Sequence, residues 1–438
     1  MAKQPADLSV EITGLTQDGL GIAQSESQSL RVRNALPGEV VVARILRRRK
    51  GLRFADGIEI SQPSLQRRRS ACTYFPRCGG CSLHHLSYDA QLRLKQQQVE
   101  DALLDSGVQA ERWEDPYSSA RLGYRRKARF GVRKLGDQVL VGFRESFSNR
   151  VAKIDHCEVL SPQLSAVLKP LKHCLAQLSI AEKIPQIEVA QGDEQCVLML
   201  RHLAPLTPLD MQRLKDFESR YRVQILLQSK GYDTLISLQG QPPEAIGYAL
   251  AEWGLYMTFM PQQFTQVNLL ANQALIRQAL SYLGDINGKR VLDLFCGIGN
   301  FSLPLARRGA LVRGVEAAAD AVDQARYNAH LNGLSASVQF DVADLYNPQE
   351  AQANLLGEAE VLLLDPPRSG AGALLDGWLS GFVGSEVVYV SCNPATFASD
   401  ARVLASHGFR LVNVGIFDMF PHTAHVETMG YFRRDSAA

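Results

Sequence analysis

No apolar run approaches the roughly 18 residues that a membrane-spanning helix needs, which excludes a helical membrane anchor from this sequence. The opening MAKQPADLSVEITG also lacks the charged, then apolar, then small-residue order of a secretory leader. A cytoplasmic chain is therefore expected. Cysteine is sparse, with eight in 438 residues. Such a scatter argues against a disulfide framework and for metal-binding or catalytic thiols in a reducing compartment. Internal repeats and low-complexity tracts are missing, and no large charge excess exists, the formal net charge being +2. What is present is a 46% hydrophobic composition, enough for more than one core, in a chain long enough for two or three domains.

The small net charge hides an uneven distribution. Through residue 70 there are twelve Lys or Arg against seven Asp or Glu, with Arg47, Arg48, Arg49 and Lys50 consecutive. A second run, Arg121, Arg125, Arg126, Lys127, Arg129, Arg133 and Lys134, contains no acid and interleaves Tyr124 and Phe130. One such run alone is as readily a solvated face as a binding surface. Two of them with aromatics between favour a polyanion, because cations neutralise phosphates and aromatic faces stack on bases.

Residues 1–66 read as short strands (VEITGL, LRVRNAL, EVVVARILRRR) separated by Gly and Pro-Gly turns, the pattern of a small β-barrel of the oligonucleotide-binding kind. Residues 88–107 are rich in helix formers and close on Gly107. From about 120 to 260, strand-like RKARFGVRK, QVLVGFRE and EQCVLMLRH alternate with helical TPLDMQRLKDFESRY, an α+β pattern. From about 268 the rhythm becomes strand, turn, helix, repeated, which implies a parallel sheet covered on both faces, a doubly wound, Rossmann-like α/β domain.

In that last part the strand at 291–295 runs into a turn containing Gly297, Gly299 and Asn300, where glycines let a ligand approach the backbone. Glu316 closes the next strand, where a carboxylate can accept both hydroxyls of a ribose, and Asp344 follows the third, within reach of an adenine edge. A dinucleotide site would need a third glycine where Ser302 stands, and Asp293 is expected in the loop region, where it would repel a pyrophosphate. Acids around the turn suit a sulfonium cofactor instead, so S-adenosylmethionine is favoured over NAD.

Asp365-Pro366-Pro367-Arg368 ends the fourth strand and Ser391-Cys392-Asn393-Pro394 the fifth, so both motifs are expected at the carboxyl edge, facing one pocket. Cys174, Cys196 and Cys296 read as buried structural thiols. Cys392 precedes a helix (ATFASDARVLASHG) whose N-terminus is expected to lower its pKa and free a thiolate. Glu427, in HTAHVETM, is the candidate base, with His422 and His425 as substitutes that fit a structural or positioning role equally well. Cys72, Cys78 and Cys81 bunch in FPRCGGCSLHH, and by spacing alone they fit zinc or an iron–sulfur cluster equally.

Taken together, FPRCGGCSLHH, QFTQVN, VLDLFCGIGNFSLPLA, LLDPPR, SCNPATFASD and HTAHVETM make the chain resemble the RNA uracil-5-methyltransferase family over nearly its whole length, and within it the 23S rRNA enzymes. That resemblance implies an N-terminal TRAM domain over 1–66, a central domain with a [4Fe-4S] cluster over 67–265 and an S-adenosylmethionine-dependent methyltransferase domain over 266–438. It implies Cys157 as the fourth cluster ligand beside Cys72, Cys78 and Cys81, and it makes Cys392 the nucleophile and Glu427 the proton-abstracting base. Gln266, Phe295, Asn300, Glu316, Asp344 and Asp365 match positions that hold the cofactor or border the reacting base. The chemistry so implied adds the Cys392 thiolate to carbon 6 of a flipped-out uracil, making carbon 5 nucleophilic. The implied partner is 23S rRNA, with no membrane and no obligate protein partner. The competing readings are the same chemistry on tRNA or another rRNA site, an amino-group methyltransferase, disfavoured by Arg368 after the prolines, and a noncatalytic RNA-binding protein.

Overall fold

The computed structural model describes residues 7–25, 28–49, 51–347, 356, 358–372 and 374–435; Lys50 of the first basic run lies outside them. The N-terminal part is built from β1 (Leu8–Glu11), β2 (Gly14–Leu15), β3 (Gly21–Ser25), β4 (Gln28–Arg33), β5 (Val40–Arg49) and β6 (Leu52–Gln62). They form one six-stranded sheet in the order β1-β5-β6-β4-β3-β2, whose edge strands β1 and β2 are not paired with each other. Alternation sends Val10, Leu30, Val32, Val41, Ala43 and Ala55 to one small core, as the two-residue period of a strand requires. The buried Glu39 carboxylate ties this sheet to the segment after β6, accepting from the Leu36 and Ser64 amides (2.8 and 3.0 Å) and from Arg67 (2.6 and 2.7 Å).

Next come α1 (Tyr88–Ser106) and β7 (Ala110–Trp113). The helix stops where expected, at Gly107, whose φ of 76° only glycine adopts without strain. A middle sheet, β13-β12-β11-β10-β8-β9, is assembled from β8 (Lys127–Leu135), β9 (Gln138–Gly142), α2 (Pro162–Ala176), β10 (Gln186–Gln191), β11 (Cys196–Arg201), α3 (Pro208–Tyr221), β12 (Gln224–Gln228) and β13 (Leu235–Ser237). Its two helices share the core of that sheet, and α3 starts on a capping box between Thr207 and Asp210. The hairpin β14 (Ile246–Leu250) and β15 (Leu255–Phe259) comes after it.

The last part comprises α4 (Leu269–Leu283), β16 (Arg290–Leu294), α5 (Ser302–Arg307), β17 (Leu311–Glu316), α6 (Ala319–Leu331), β18 (Val338–Val342), β19 (Val361–Leu364), α7 (Leu374–Gly381), β20 (Glu386–Ser391), α8 (Pro394–Ser406), β21 (Arg410–Phe417) and β22 (Glu427–Arg433). Its sheet runs β18-β17-β16-β19-β20-β22-β21-β7, with β22 antiparallel to both neighbours. Leu363 and Val388 enter the core on one face, Leu364 and Tyr389 the core on the other. This two-sided burial explains the unbroken apolar strands, and truncating either leucine to Ala costs about 2–5 kcal/mol. The strand order reverses between β16 and β19, opening a crevice at their carboxyl ends. The structure also assigns α1 and β7 to this sheet: α1 packs on α8, and β7 extends the edge beside β21, although in sequence they lie with the central segment. The buried Lys95–Asp418 ion pair (2.5 Å, both side chains fully covered) fastens α1 to the end of β21. Removing one partner would leave a buried charge, at a cost of about 3–5 kcal/mol.

Candidate active site

At the crevice, β16 ends in a turn of three left-handed residues, Phe295 (φ 64°), Gly297 (φ 54°) and Gly299 (φ 90°). The φ at Gly299 favours glycine, and a side chain there would also begin 3.3 Å from the Phe340 ring, a tight contact. Glu316, at the end of β17, accepts from the amides of Gly297 (3.2 Å), Ala317 (2.8 Å) and Ala318 (3.1 Å), which fixes its carboxylate beside the turn. Asn300 exchanges two hydrogen bonds with Asn272 of α4 (2.8 and 2.9 Å). Asp344, exposed after β18, accepts from the Tyr346 amide (2.9 Å), and Phe295 packs against Tyr346 and Trp378 at 5.7 and 6.2 Å between ring centres.

Asp365 follows β19, Cys392 follows β20 and Glu427 opens β22. The antiparallel course of β22 pairs its second residue, Thr428, with Ser391, so its first residue arrives at the carboxyl edge of the parallel strands. Three neighbouring strands thus bring a carboxyl, a thiol and a second carboxyl together. These three and Gln266, Phe295, Asn300, Glu316 and Asp344 all line one cavity of about 1310 Å³.

The electrostatics depart from the sequence expectation. Burial pushes the Cys392 thiol up to about 11, Glu427 and Asp365 push the same way, and Arg368 opposes them. The helix start does not win, because Cys392 precedes the cap, where Asn393 already accepts from the Ala395 amide (3.1 Å). Burial, then the charge of Asp293, raises Asp365 to about 7. Burial, then Asp365, raises Glu427 well above the ordinary carboxylate range. Asp293 is not in the loop: it lies inside β16, fully buried, accepting from the Ser302 hydroxyl at 2.5 Å. It does not line the cavity; the acids that do are Asp18, Glu316, Asp320, Asp344, Asp365 and Glu427. Beside the glycine turn Glu316 and Asp344 disfavour phosphate and fit a positively charged ligand, whereas Arg47, Arg49, Arg125 and Arg368 line other parts of the wall.

Comparison with known proteins decides the family. The family described as tRNA (Uracil-5-)-methyltransferase matches residues 87–344 and 354–435. The chain is 42% identical over 437 residues to the 23S rRNA (uracil(1939)-C(5))-methyltransferase RlmD of Hahella chejuensis, covering 98% of this chain and 97% of that protein. The chain belongs to the RNA uracil-5-methyltransferase family. The protein of the same name from Alkalilimnicola ehrlichii is 44% identical over 431 residues, with 98% and 96% covered. Among solved structures, the Pyrococcus abyssi tRNA (uracil-54, C5)-methyltransferase in complex with S-adenosyl-L-homocysteine superposes with a TM-score of 0.75 at 25% identity, covering 97% of this chain and 99% of that one.

In this methyltransferase the cavity is composite. Arg47, Arg49 and Phe54 of the N-terminal sheet, Ser82 of the cysteine-bearing segment and Phe147 of the β9–α2 connection complete its wall. The Arg47 guanidinium lies 5.0 and 5.5 Å from the Phe54 and Phe147 rings, a cation–π geometry. Sequence reasoning missed both aromatics; the one signal was Phe147 as the apolar member of a polar loop, RESFSNR. No carboxylate pairs with Arg47, Arg48 or Arg49 among the described residues.

Part of the second basic run is engaged with neighbouring side chains, while Arg121, Arg129 and Arg133 remain exposed and Arg125 lines the cavity. Arg126 pairs with Asp193, Arg129 with Glu188 and Lys134 with Glu182, while Arg121 and Arg125 lie over the rings of Tyr88 and Phe143. Tyr124 and Phe130 are buried and offer no face to a base. Of the two histidines, His425 lines the cavity, whereas His422 stacks on His84 at 3.9 Å between ring centres.

Cys72, Cys78, Cys81 and Cys157, unpaired and half-buried, surround one small hollow with Tyr74, Phe75 and His84. Burial pushes the Cys78 thiol up to about 11, and Cys157 and Cys72 add to the rise. Among the described residues no three His, Cys, Asp or Glu side chains converge tightly enough for a single metal ion.

Proposed function

We propose that this methyltransferase methylates carbon 5 of a uridine in 23S rRNA, with S-adenosylmethionine as donor. The convergence of Cys392, Asp365 and Glu427 in one cavity with Glu316, Asp344 and Phe295 carries the reading. When bound, the cofactor supplies an electrophilic methyl group on a cationic sulfur; Gln266, Phe295, Asn300, Glu316 and Asp344 would hold it. Cys392, Asp365 and Glu427 all ionise more readily once positive charge lies beside them. The Cys392 thiolate adds to carbon 6 of the uracil, and the electron pair of the 5,6 double bond makes carbon 5 the nucleophile. Once carbon 5 has bonded to the methyl group, whose former bonding pair stays on the donor sulfur, Glu427 takes the carbon 5 proton, the 5,6 double bond re-forms and Cys392 leaves as thiolate. Asp365 is placed to accept the ring N–H and hold the flipped base.

Residues 1–66 serve as the RNA-binding TRAM domain, with Arg47, Arg48 and Arg49 on phosphates and Phe54 and Phe147 against exposed bases. Residues 67–265 form the central domain and 266–438 the methyltransferase domain, against which the 88–113 stretch packs. A ribosomal rather than a tRNA target is supported by full-length identity of 42–44% to the 23S rRNA enzymes, against 25% to the tRNA enzyme. Deleting the protein should remove one 5-methyluridine from 23S rRNA, and adding purified protein and donor to that RNA should restore it. Unchanged 5-methyluridine in the deletion strain would defeat the reading.

Cys72, Cys78, Cys81 and Cys157 hold a [4Fe-4S] cluster in this reading, with a structural role, since methyl transfer to uracil needs no electron. Protein purified without oxygen should contain about four irons and four acid-labile sulfides per chain. Zinc without sulfide would overturn the cluster.

A further inference from the structure

The 419–426 loop between β21 and β22 puts Phe420, Thr423, Ala424 and His425 on the cavity wall and delivers Glu427. Most surface loops leave their carbonyls to water. Here four consecutive carbonyls are held by four distant segments. Met419 O accepts from Asn268 (3.3 Å), Phe420 O from Lys95 (3.1 Å), Pro421 O from the Tyr124 hydroxyl (3.0 Å), and His422 O from both the Ser82 and Leu83 amides (3.0 and 2.9 Å).

His422 is the most constrained of these. It is 9% exposed and sits at φ 67°, a left-handed conformation that a residue other than glycine keeps only where its surroundings impose it. Its N–H donates to Gln91 Oε1 (3.0 Å), and the Gln91 amide donates in turn to the Leu83 and Leu86 carbonyls (3.1 and 2.9 Å). Its ring stacks on His84 at an interplanar angle of 13°. Two residues on, the Ala424 amide donates to the Ser82 hydroxyl (3.2 Å). All three of residues 82–84, which directly follow Cys81, therefore grip the loop at or beside His422.

We propose that His422 is a positioning residue, the point at which the segment after Cys81 fastens the loop that carries His425 and Glu427 opposite Cys392. The fastening matters for Glu427 because its pairing with Phe417 is the last rung of the β21–β22 ladder, where a strand frays first. Cys392 and Asp365 are held separately, on the ends of the parallel strands β20 and β19. Loosening the loop therefore slows the step that needs Glu427 while sparing donor binding and thiol addition. The catalytic consequence rests on the uridine methylation proposed above; the fastening itself does not.

The test is His422→Asn in the full chain, because Asn tolerates a left-handed backbone and keeps the main-chain bonds while losing the ring. Amide hydrogen exchange in residues 82–86 and 419–427 should rise by about tenfold or more, with β16 to β20 unchanged. Affinity for S-adenosylhomocysteine should stay within about twofold, turnover on 23S rRNA should fall on the order of 10- to 100-fold, and a larger fraction of enzyme should stand as the covalent RNA adduct. Unchanged exchange in the two segments, or faster exchange with undiminished turnover, overturns the proposal. If the Asn variant does not fold, Ser82→Ala, which removes one bond of the clamp, should move exchange and turnover in the same directions. A wild-type protein that transfers no methyl group to rRNA sinks the uridine reading, and the exchange comparison still decides the fastening.

Discussion

Cys392→Ala is expected to abolish methyl transfer, a loss on the order of 10⁴-fold or more, while RNA and donor affinities stay near wild type. The sulfur is the atom that would bond to the ring; of the other two thiols on the cavity wall, Cys296 is 5% exposed and belongs to the core beneath the turn, and Cys81 sits with Cys72, Cys78 and Cys157 around their own hollow. Cys392 itself is only partly buried, so losing its sulfur disturbs little packing. With RNA carrying 5-fluorouridine at the target, the wild type should become covalently attached, because fluorine cannot leave as a proton, and the Ala variant should not. The initial rate of attachment should climb as pH rises from 6 toward the alkaline range, because the thiol is pushed up to about 11. Turnover by the Ala variant, or attachment through another residue, would end the covalent proposal.

Glu427→Gln separates the two halves of the reaction. The substitution keeps the shape of a side chain that is 4% exposed and removes one of the carboxyls that hold the Cys392 thiol protonated. Addition to the ring should therefore be no slower. Removal of the carbon 5 proton should slow by about 10²- to 10⁴-fold, so an adduct on ordinary RNA should persist on denaturing gels. An unchanged product rate would remove Glu427 from the role. The same substitution should raise stability at neutral pH. A buried acid whose folded pKa lies above its unfolded one binds more protons folded than unfolded, so it costs stability as pH rises through the interval between them. Asp365, raised from 3.8 to about 7, acts alike, so the wild type should lose stability from about pH 4 to 7. Glu427→Gln should flatten part of that loss in chemical-denaturation curves taken across the range.

Much of the site was legible because its residues sit where local rules apply. Glu316, Asp365 and Cys392 come directly after apolar strands that end in recognisable turns, and in a doubly wound sheet strand ends converge. Glu427 was a candidate base from its motif, but nothing local announces that β22 runs antiparallel and so returns its first residue to the same edge. The misreadings share one cause. The Cys392 thiol and the burial of Asp293, Tyr124 and Phe130 all depend on neighbours from distant segments, which residue types counted along a chain do not reveal.

The amino-acid order by itself determined the α/β character of the last part, the glycine turn and the family membership, because strand and helix periodicity, turn chemistry and motif spacing are properties of contiguous residues. Only the folded molecule decided that α1 and β7 belong to the C-terminal sheet, that Phe54 and Phe147 meet Arg47 on the cavity wall, and that residues 82–84 grip His422. Those outcomes are contacts between segments far apart in the chain, set by which apolar faces and which buried hydrogen-bonding groups can be satisfied together.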